Sequence, residues 1–248
     1  MIKKFLRVGI SSVVLFLIFS FLVFSGAIAD TIVTVPSTSD PWLAGMPNGS
    51  TASLGDSAPA HSPVLVGFPF SPGDSLTFSA TGLTDHCTGG ACGMAGPEGD
   101  FGVGEGSFAH KTGAENGIAN LTAPIDSLIG VFLGAARPDS SAAPGALDFS
   151  TLSSRDFSTL SPSVKQPFFI GDGRRNDGLT VQSFIVPTDA TRLFLGTVDG
   201  FGWYSNVGSL EVTVDAKSVP EPASMLLFAT GLMGLVELRR NVRKRIRY

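Results

Sequence analysis

Ser75-Leu76-Thr77-Phe78-Ser79-Ala80 decides the fold class, because its polar and apolar residues alternate with a period of two. This alternation is typical of a β-strand that buries one face. Other short stretches have similar strand chemistry between Gly, Pro, Asp or Asn turn residues: Val64–Phe68, Ser127–Leu133, Leu179–Val186, Arg192–Leu195 and Ser209–Val214. No stretch between residues 30 and 219 sustains a helical period of about 3.6 residues. We therefore predict an all-β fold, an antiparallel β-sandwich.

Charge divides the chain into three parts. Of the 17 basic and 21 acidic residues, the first 29 positions hold three basic and no acidic ones, and the last 29 hold six basic and two acidic ones. The central part therefore holds eight basic and 19 acidic residues, a net charge of −11. An acidic central part argues against a nucleic-acid partner, since nucleic acids are bound by basic faces. Its length is sufficient for one domain with its own core.

The N-terminus is typical of a secretory signal. Three basic residues precede an apolar run, Val8–Phe24, and Ala27-Ile28-Ala29 forms a small-residue cleavage site. We expect cleavage before Asp30, so that residues 1–29 are a signal peptide. The alternative is an uncleaved anchor helix, because the apolar run is long for a signal.

The C-terminus combines three features in order. Pro220-Glu221-Pro222 comes first, a short apolar stretch, Ala223–Val236, follows, and six basic residues come last. The apolar stretch is shorter than the about 20 residues of a full membrane span, and the cations favour the cytoplasmic side.

This order of features, in residues 217–248, resembles the PEP-CTERM sorting signal of Gram-negative bacteria. The resemblance implies a short transmembrane helix that holds an inner-membrane intermediate. It also implies processing by an exosortase and export to the cell surface or extracellular matrix. The alternative is a plain tail-anchored protein.

Composition also divides the part between the two ends. Residues 30–60 are rich in Pro, Ser, Thr and Gly and are expected to form a loosely ordered lead-in. Residues 61–216 are expected to form the sandwich domain. Within it, the Ser-, Ala- and Pro-rich residues 135–165 are expected to be an inserted loop.

Sequence motifs of catalysis do not occur in the chain. It contains no His-Glu-x-x-His, no Gly-x-Ser-x-Gly and no phosphate-binding loop, and its three histidines are far apart in sequence. Glu98, Asp100 and Glu105 are close enough to be considered as paired carboxylates, but such groups are common in the loops of acidic domains. We predict that the protein is not an enzyme and has no catalytic residues.

Cys87 and Cys92 are the only cysteines and lie in a Gly-rich stretch. An even number of cysteines in an oxidising compartment favours a disulfide. The alternative is a transition-metal site that includes the neighbouring His86, although two cysteines and one histidine are a weak zinc pattern.

The stretch Thr191–Ser209 has the composition of a cation-binding loop. A strand ends at Asp199, a loop of glycines and aromatic residues reverses the chain, and Asn206 precedes the next strand. Ca²⁺ takes about six to eight oxygen ligands. Asp199, Ser205 and Asn206 offer side-chain oxygens, and the glycines allow backbone carbonyls to turn inward. The alternative is a hairpin loop whose Asp and Asn bond only to the backbone.

Four stretches, taken in order, resemble the calcium-dependent galactophilic lectins of the LecA type: Ser71–Gly82, Gly96–Asp100, Leu128–Leu133 and Asp199–Ser209. The resemblance covers Val64–Asp215, with residues 135–165 as an insertion. It implies a small galactose-binding β-sandwich in which one calcium ion joins the protein to two hydroxyls of the sugar.

The resemblance also implies a set of metal ligands. Asp199 would provide the calcium carboxylate that also contacts the sugar, and Ser205 and Asn206 occupy the positions of the family's Asn-Asn pair. The carbonyl of Gly202 would add a backbone oxygen, and a second carbonyl would come from residues 85–86.

The sugar contacts implied by the resemblance are less complete. Asp100 would lie at the carbohydrate-binding site, and Trp203 and Tyr204 could stack on a sugar face. The alternative is that these two are hairpin side chains that cover the end of the sandwich. Ser205 is shorter than the Asn of the family, and residues 101–106 lack the His and Gln that the family presents to the sugar's primary hydroxyl. Calcium is therefore better supported than galactose.

These observations predict an exported, surface-sorted protein that binds carbohydrate with calcium as its cofactor. Its carbohydrate partner would be galactose-like or the cell's own extracellular polysaccharide. An exosortase would process it, and its C-terminal helix would hold it in the membrane before processing. The alternative is a structural β-sandwich of the matrix or envelope that binds no sugar.

Overall fold

A computed structural model describes residues 30–52, 55–100, 107–110 and 112–217, together with Leu232. The expected signal peptide, residues 1–29, lies outside these residues, as do Pro220, Glu221 and Pro222 and almost all of the expected C-terminal helix.

Among the described residues, no helix combines the length and the apolar character that crossing a membrane requires.

Strands dominate the described chain: β1 (Thr31–Pro36), β2 (Val64–Leu65), β3 (Ser75–Asp85), β4 (Ser107–Ala109), β5 (Leu121–Pro124), β6 (Leu128–Leu133), β7 (Leu147–Asp148), β8 (Thr159–Leu160), β9 (Phe168–Phe169), β10 (Ser183–Ile185), β11 (Arg192–Thr197) and β12 (Val207–Lys217). Its helices are short: α1 (Leu152–Arg155) and 3-10 turns at Pro41–Leu43, Thr88–Gly90, Pro138–Ser140 and Trp203–Ser205.

These strands form three sheets. A five-stranded sheet has the order β1-β12-β3-β10-β8, a four-stranded sheet has the order β2-β11-β6-β9, and a three-stranded sheet has the order β4-β5-β7. Most neighbours are antiparallel, and the exceptions are the parallel pairs β5–β7 and β8–β10.

The core lies between the five-stranded and four-stranded sheets. Along β3 the buried residues are Leu76, Phe78 and Ala80, which alternate with more exposed ones, whereas β6 is buried throughout. The Phe184 ring of the five-stranded sheet packs on the Phe168 ring of the four-stranded sheet, with centroids 5.4 Å apart. Two sheets facing each other across such a core form a β-sandwich, so the predicted fold class is confirmed.

One predicted strand is shorter than its sequence suggests. The stretch Leu179–Val186 forms a strand only at Ser183–Ile185, and Leu179 is 79% exposed. The Asp177 carboxylate accepts hydrogen bonds from the backbone of Leu179 and from the backbone and hydroxyl of Thr180. This side-chain turn competes with the ladder and explains the late start of the strand.

Residues 30–60 are not the loosely ordered lead-in that their composition predicts. Thr31–Pro36 pairs along its whole length with β12, and Trp42 is buried in the core. The Trp42 indole N–H donates to the carbonyl of Ala119 at 3.1 Å. Proline and serine are common here because the chain turns repeatedly, but the strand pairing and the buried Trp42 dock the segment onto the sandwich.

Residues 135–165 also need correction, because they are part of the sandwich and not only an inserted loop. Leu147–Asp148 pairs with β5, and Thr159–Leu160 pairs with β10. The side chain of Phe149 is buried in the core between them. The segment thus supplies strands to two of the three sheets.

Candidate metal centre

Two strand registers bring the candidate ligands to one end of the sandwich. In the five-stranded sheet Val207 lies opposite Asp85, so the residues after β3 lie beside those before β12. In the four-stranded sheet Thr197 lies opposite Leu128, so the residues after β11 lie beside those before β6. The loops that carry Asp199 and Asn206 therefore share this end with residues 85–86 and 126–127.

Asp199 is buried at this end and its carboxylate is only partly satisfied. The Oδ1 atom accepts the backbone N–H of Phe201 at 3.2 Å, whereas Oδ2 is buried without a hydrogen-bond partner in the described part of the chain. Burial raises the pKa of Asp199, and the amide of Phe201 and the side chain of Asn206 oppose that rise. The carboxylate thus offers one free oxygen in a dehydrated place.

Asn206 presents a second such oxygen. Its Nδ2 donates to the carbonyl of Ser37 at 3.1 Å, which fixes the direction of the amide. Its Oδ1 is buried and accepts no hydrogen bond from any described group. Ser37, which directly follows β1, therefore orients the Asn206 side chain through its backbone carbonyl.

Gly202 and Ser205 lie between these two residues and contact each other. Gly202 has a φ of 81°, a left-handed conformation that glycine adopts without strain. Its carbonyl accepts both the backbone N–H and the hydroxyl of Ser205, each at 3.2 Å. The Ser205 hydroxyl oxygen keeps its lone pairs for a cation, whereas the Gly202 carbonyl would have to give up one of these two hydrogen bonds to bind one.

The two aromatic residues expected to stack on a sugar have different positions. Trp203 is 0% exposed and its indole N–H donates to the carbonyl of Thr197 at 3.0 Å. Its expected role in sugar stacking is therefore wrong. Tyr204 is 59% exposed and Phe201 is 40% exposed, so these two rings of the loop that follows Asp199 are accessible from outside.

Asp56 supports the same loop from the N-terminal segment. Its carboxylate, which is buried, accepts the backbone N–H groups of Trp203 at 3.0 Å and of Tyr204 at 2.8 Å. Burial raises the pKa of Asp56, and these two backbone hydrogen bonds oppose that rise. The side chain thus binds the short helical turn that spaces Gly202 from Asn206.

A second carboxylate lies on the neighbouring strand end. Asp126 Oδ2 lies 2.7 Å from His86 Nδ1. Burial raises the pKa of Asp126 to about 6, although the hydrogen bond to His86 opposes the rise. Burial alone would lower the pKa of His86, but the bond to Asp126 gives a net rise. The two groups therefore form a buried acid–base pair.

Cys87 and Cys92 form a disulfide. In the described part of the chain, these two sulfurs and a His86 ring nitrogen are close enough together to be considered as ligands of one metal ion. However, the two sulfurs are bonded to each other and offer no thiolate. The Asp85 carboxylate accepts the backbone N–H groups of Cys87 and Gly93, each at 2.7 Å. Asp85 thereby holds both ends of the disulfide loop.

Asp100 lies near this end, since its backbone N–H donates to the carbonyl of Ile125 at 2.9 Å. The residues expected to differ from the lectin pattern at the sugar's primary hydroxyl, 101–106, are outside the described residues. The expected carbonyl ligand from residues 85–86 stays a prediction.

The arrangement suits a hard cation. Within the described chain, two oxygens on either side of one loop, Asp199 Oδ2 and Asn206 Oδ1, are buried without partners. An unpaired buried carboxylate is costly, and a bound cation offsets that cost. Carboxylate and amide oxygens are ligands that Ca²⁺ prefers, so the residues present fit calcium.

Asp56, Asp126 and Ser37, which orients Asn206, were not predicted from the sequence. One signal could have identified Asp126: it comes just before one core strand, whereas Asp199 comes just after another. In an antiparallel pair, the residues before one strand and the residues after its neighbour lie at the same end of the sheet. Nothing in the local sequence identifies Asp56, because its partners lie 147 and 148 positions away.

Comparison with known protein families identifies a PEP-CTERM protein-sorting motif at residues 218–244. The motif implies that the chain is exported and sorted to the cell surface by way of an exosortase. Comparison with curated proteins gives no match. Among solved structures, the chain is similar to an "EclA N-terminal domain; PllA-like lectin", at 13% identity and a TM-score of 0.33, over 75% of this chain and 95% of that one.

Proposed function

We propose that this exported protein binds Ca²⁺ at the Asp199 loop and recognises carbohydrate through the bound ion. One observation carries the proposal: Asp199 Oδ2 and Asn206 Oδ1 are buried beside one loop, and neither has a hydrogen-bond partner among the described residues. The Asp199 carboxylate and the Asn206 amide would hold the ion, and Ser205 Oγ and the Gly202 carbonyl would complete the protein's share of its ligands.

A calcium ion held at the surface end of a sandwich has coordination positions left for outside oxygens. Vicinal hydroxyls of a sugar supply such oxygens, and the ring of Tyr204, which is exposed, would cover an apolar sugar face. Recognition of this kind makes and breaks no covalent bond. The sorting motif supports a location where polysaccharide is present, the cell surface or matrix.

Calorimetry on the full-length chain, purified in mild detergent and stripped with chelator, tests the calcium step. We expect Ca²⁺ to bind and Asp199→Asn to abolish binding. Asp74→Asn is the matched control, because Asp74 is buried in the turn before β3. The 11 residues of β3 separate it from the site by about 33 Å. Equal affinity in Asp199→Asn and in the unaltered chain would refute the site.

A glycan array with calcium and with chelator tests the sugar step. Galactosides and the polysaccharide of the producing cell are the first probes. We expect binding that disappears in chelator. Calcium binding without any calcium-dependent glycan would leave the ion a purely structural role, as in a matrix β-sandwich.

A further inference from the structure

Asp126 has a buried oxygen that no described group satisfies. The side chain is 1% exposed, its Oδ2 contacts His86, and its Oδ1 has no hydrogen-bond partner in the described structure. An isolated acid–base pair would leave no reason to bury the second oxygen, because an unsatisfied acceptor on a charged group costs free energy. Asp126 Oδ1 is therefore available to bind a ligand.

The backbone fixes Asp126 next to Asp199. Its N–H donates to the carbonyl of Val198 at 2.8 Å, and Val198 in turn donates to Ser127 at 3.0 Å. Its carbonyl accepts the Thr84 hydroxyl at 3.0 Å, which ties it to the other sheet. Its φ of 68° makes the turn that presents the side chain. Asp126 itself makes the hydrogen bond to the Val198 carbonyl and Asp199 directly follows Val198, so the two residues lie at neighbouring strand ends.

Asp126 and Asp199 are both buried at this end of the sandwich, and like charges in a site excluded from water repel each other. A divalent cation would offset the negative charges of both carboxylates. Calcium affinity rises with the number of charged ligands, and a second carboxylate would compensate for the short side chain of Ser205.

We infer that Asp126 is a second carboxylate ligand of the calcium site, oriented by His86. This inference rests on the proposed calcium binding and extends its ligand set from the Asp199 loop to the loop before β6. The bound ion would then be held by both neighbouring strand ends of the four-stranded sheet as well as by Asn206, which precedes β12 of the five-stranded sheet.

Calcium titration calorimetry of the full-length chain, with three variants, tests the inference. Asp126→Asn removes the charge and keeps the shape, and asparagine tolerates positive φ. His86→Gln removes the partner and keeps the carboxylate. Asp74→Asn is the remote buried control. The melting temperature of each variant in chelator reports folding without the ion.

We expect Asp126→Asn to weaken Ca²⁺ binding by about 10-fold or more. His86→Gln should weaken binding less than Asp126→Asn does, because His86 orients the carboxylate but does not bind the ion. Unchanged affinity in Asp126→Asn, or equal losses in Asp126→Asn and His86→Gln, would overturn the inference, since both mean that Asp126 acts only through the pair.

Failure of the proposed function has a different result, which is that the unaltered chain itself binds no calcium; the inference then fails with it. If Asp126→Asn is unfolded in chelator, Asp126→Glu gives the answer. The longer side chain keeps the charge beside His86 but displaces the ligand oxygen, so weaker binding by a folded variant supports the inference and unchanged binding overturns it.

Discussion

The Asp56 carboxylate accepts the backbone N–H of Trp203 at 3.0 Å, across 147 positions of sequence. This contact makes the N-terminal segment a support of the candidate metal centre. Residues that looked like a spacer thus determine whether the loop between Gly202 and Asn206 keeps its shape.

Asp56→Ala should therefore destabilise the protein and weaken calcium binding. It leaves two backbone N–H groups unpaired, those of Trp203 and Tyr204, and we expect a loss of about 2–4 kcal/mol in the free energy of unfolding. Urea denaturation measures the loss. The control is Asp139→Ala, which breaks only the exposed ion pair with Arg137 and should cost less than about 1 kcal/mol. Equal stability of the two variants would show that Asp56 does not support the loop.

Tyr204→Ala should separate sugar binding from calcium binding. The ring is largely exposed, so its loss should change the free energy of unfolding by less than about 0.5 kcal/mol and leave calcium affinity unchanged. Affinity for a calcium-dependent glycan should fall about 5-fold or more, because an apolar stacking surface is lost. Tyr204→Phe keeps the ring and should keep most of the affinity. Glycan affinity that is unchanged in Tyr204→Ala would exclude the ring from the sugar site.

Opening the disulfide should weaken both stability and calcium affinity. The bridge between Cys87 and Cys92 closes a loop whose two ends are held by the Asp85 carboxylate, and His86 begins that loop. Loop-closure entropy gives about 2 kcal/mol for a loop of this length. Melting temperature and calcium titration of the Cys87→Ser, Cys92→Ser double variant measure the two effects. A variant as stable as the parent chain would mean that Asp85 alone holds the loop.

Glu98 should make stability depend on pH. Burial raises the pKa of Glu98 to about 7 from its ordinary value of 4.5, and a hydrogen bond from the backbone amide of Asp172 opposes the rise. The folded protein therefore holds a proton that the unfolded chain releases at lower pH. The resulting stability is complete below pH about 4.5 and is lost as the pH rises through about 7.

Glu98→Gln should remove this contribution, because the amide is neutral at every pH. Urea denaturation at pH 5 and pH 8, in chelator, measures the difference between the parent chain and the variant. The parent chain should lose about 1–2 kcal/mol more than the variant between the two values, allowing for the partial exposure of the side chain. Parallel pH profiles of the two proteins would contradict the prediction.

The strand pattern was predictable where burial on one face decided the residues. Leu76, Phe78 and Ala80 point to the core and their neighbours do not, so a period of two is visible in the sequence. Leu179–Val186 also has strand chemistry. However, the Asp177 carboxylate accepts hydrogen bonds from the backbone N–H groups of Leu179 and Thr180, which are then not available to the sheet. Local side-chain hydrogen bonds of this kind compete with the sheet without changing its hydrophobic pattern.

The candidate site was predictable only in part. Asp199 and Asn206 were predicted as ligands because each adjoins a strand end that the sequence marks, and that role stays a prediction. The burial of Trp203 was not predicted, since an aromatic residue in a Gly-rich loop has the same sequence signature whether it faces solvent or core. Trp42 and Asp56, from a distant segment, enclose that loop, and no local pattern encodes contacts of such long range.

The edge strands of the three sheets affect how readily copies of the protein aggregate at high concentration. Most of the edge strands are only two or three residues long, β2, β4, β7, β8 and β9, and short edges are poor templates for pairing with another chain. Among the described sheets, β1 alone offers a long free edge, with Ile32 exposed on it. Aggregation by strand pairing between copies crowded at a cell surface is therefore confined to one side of the molecule.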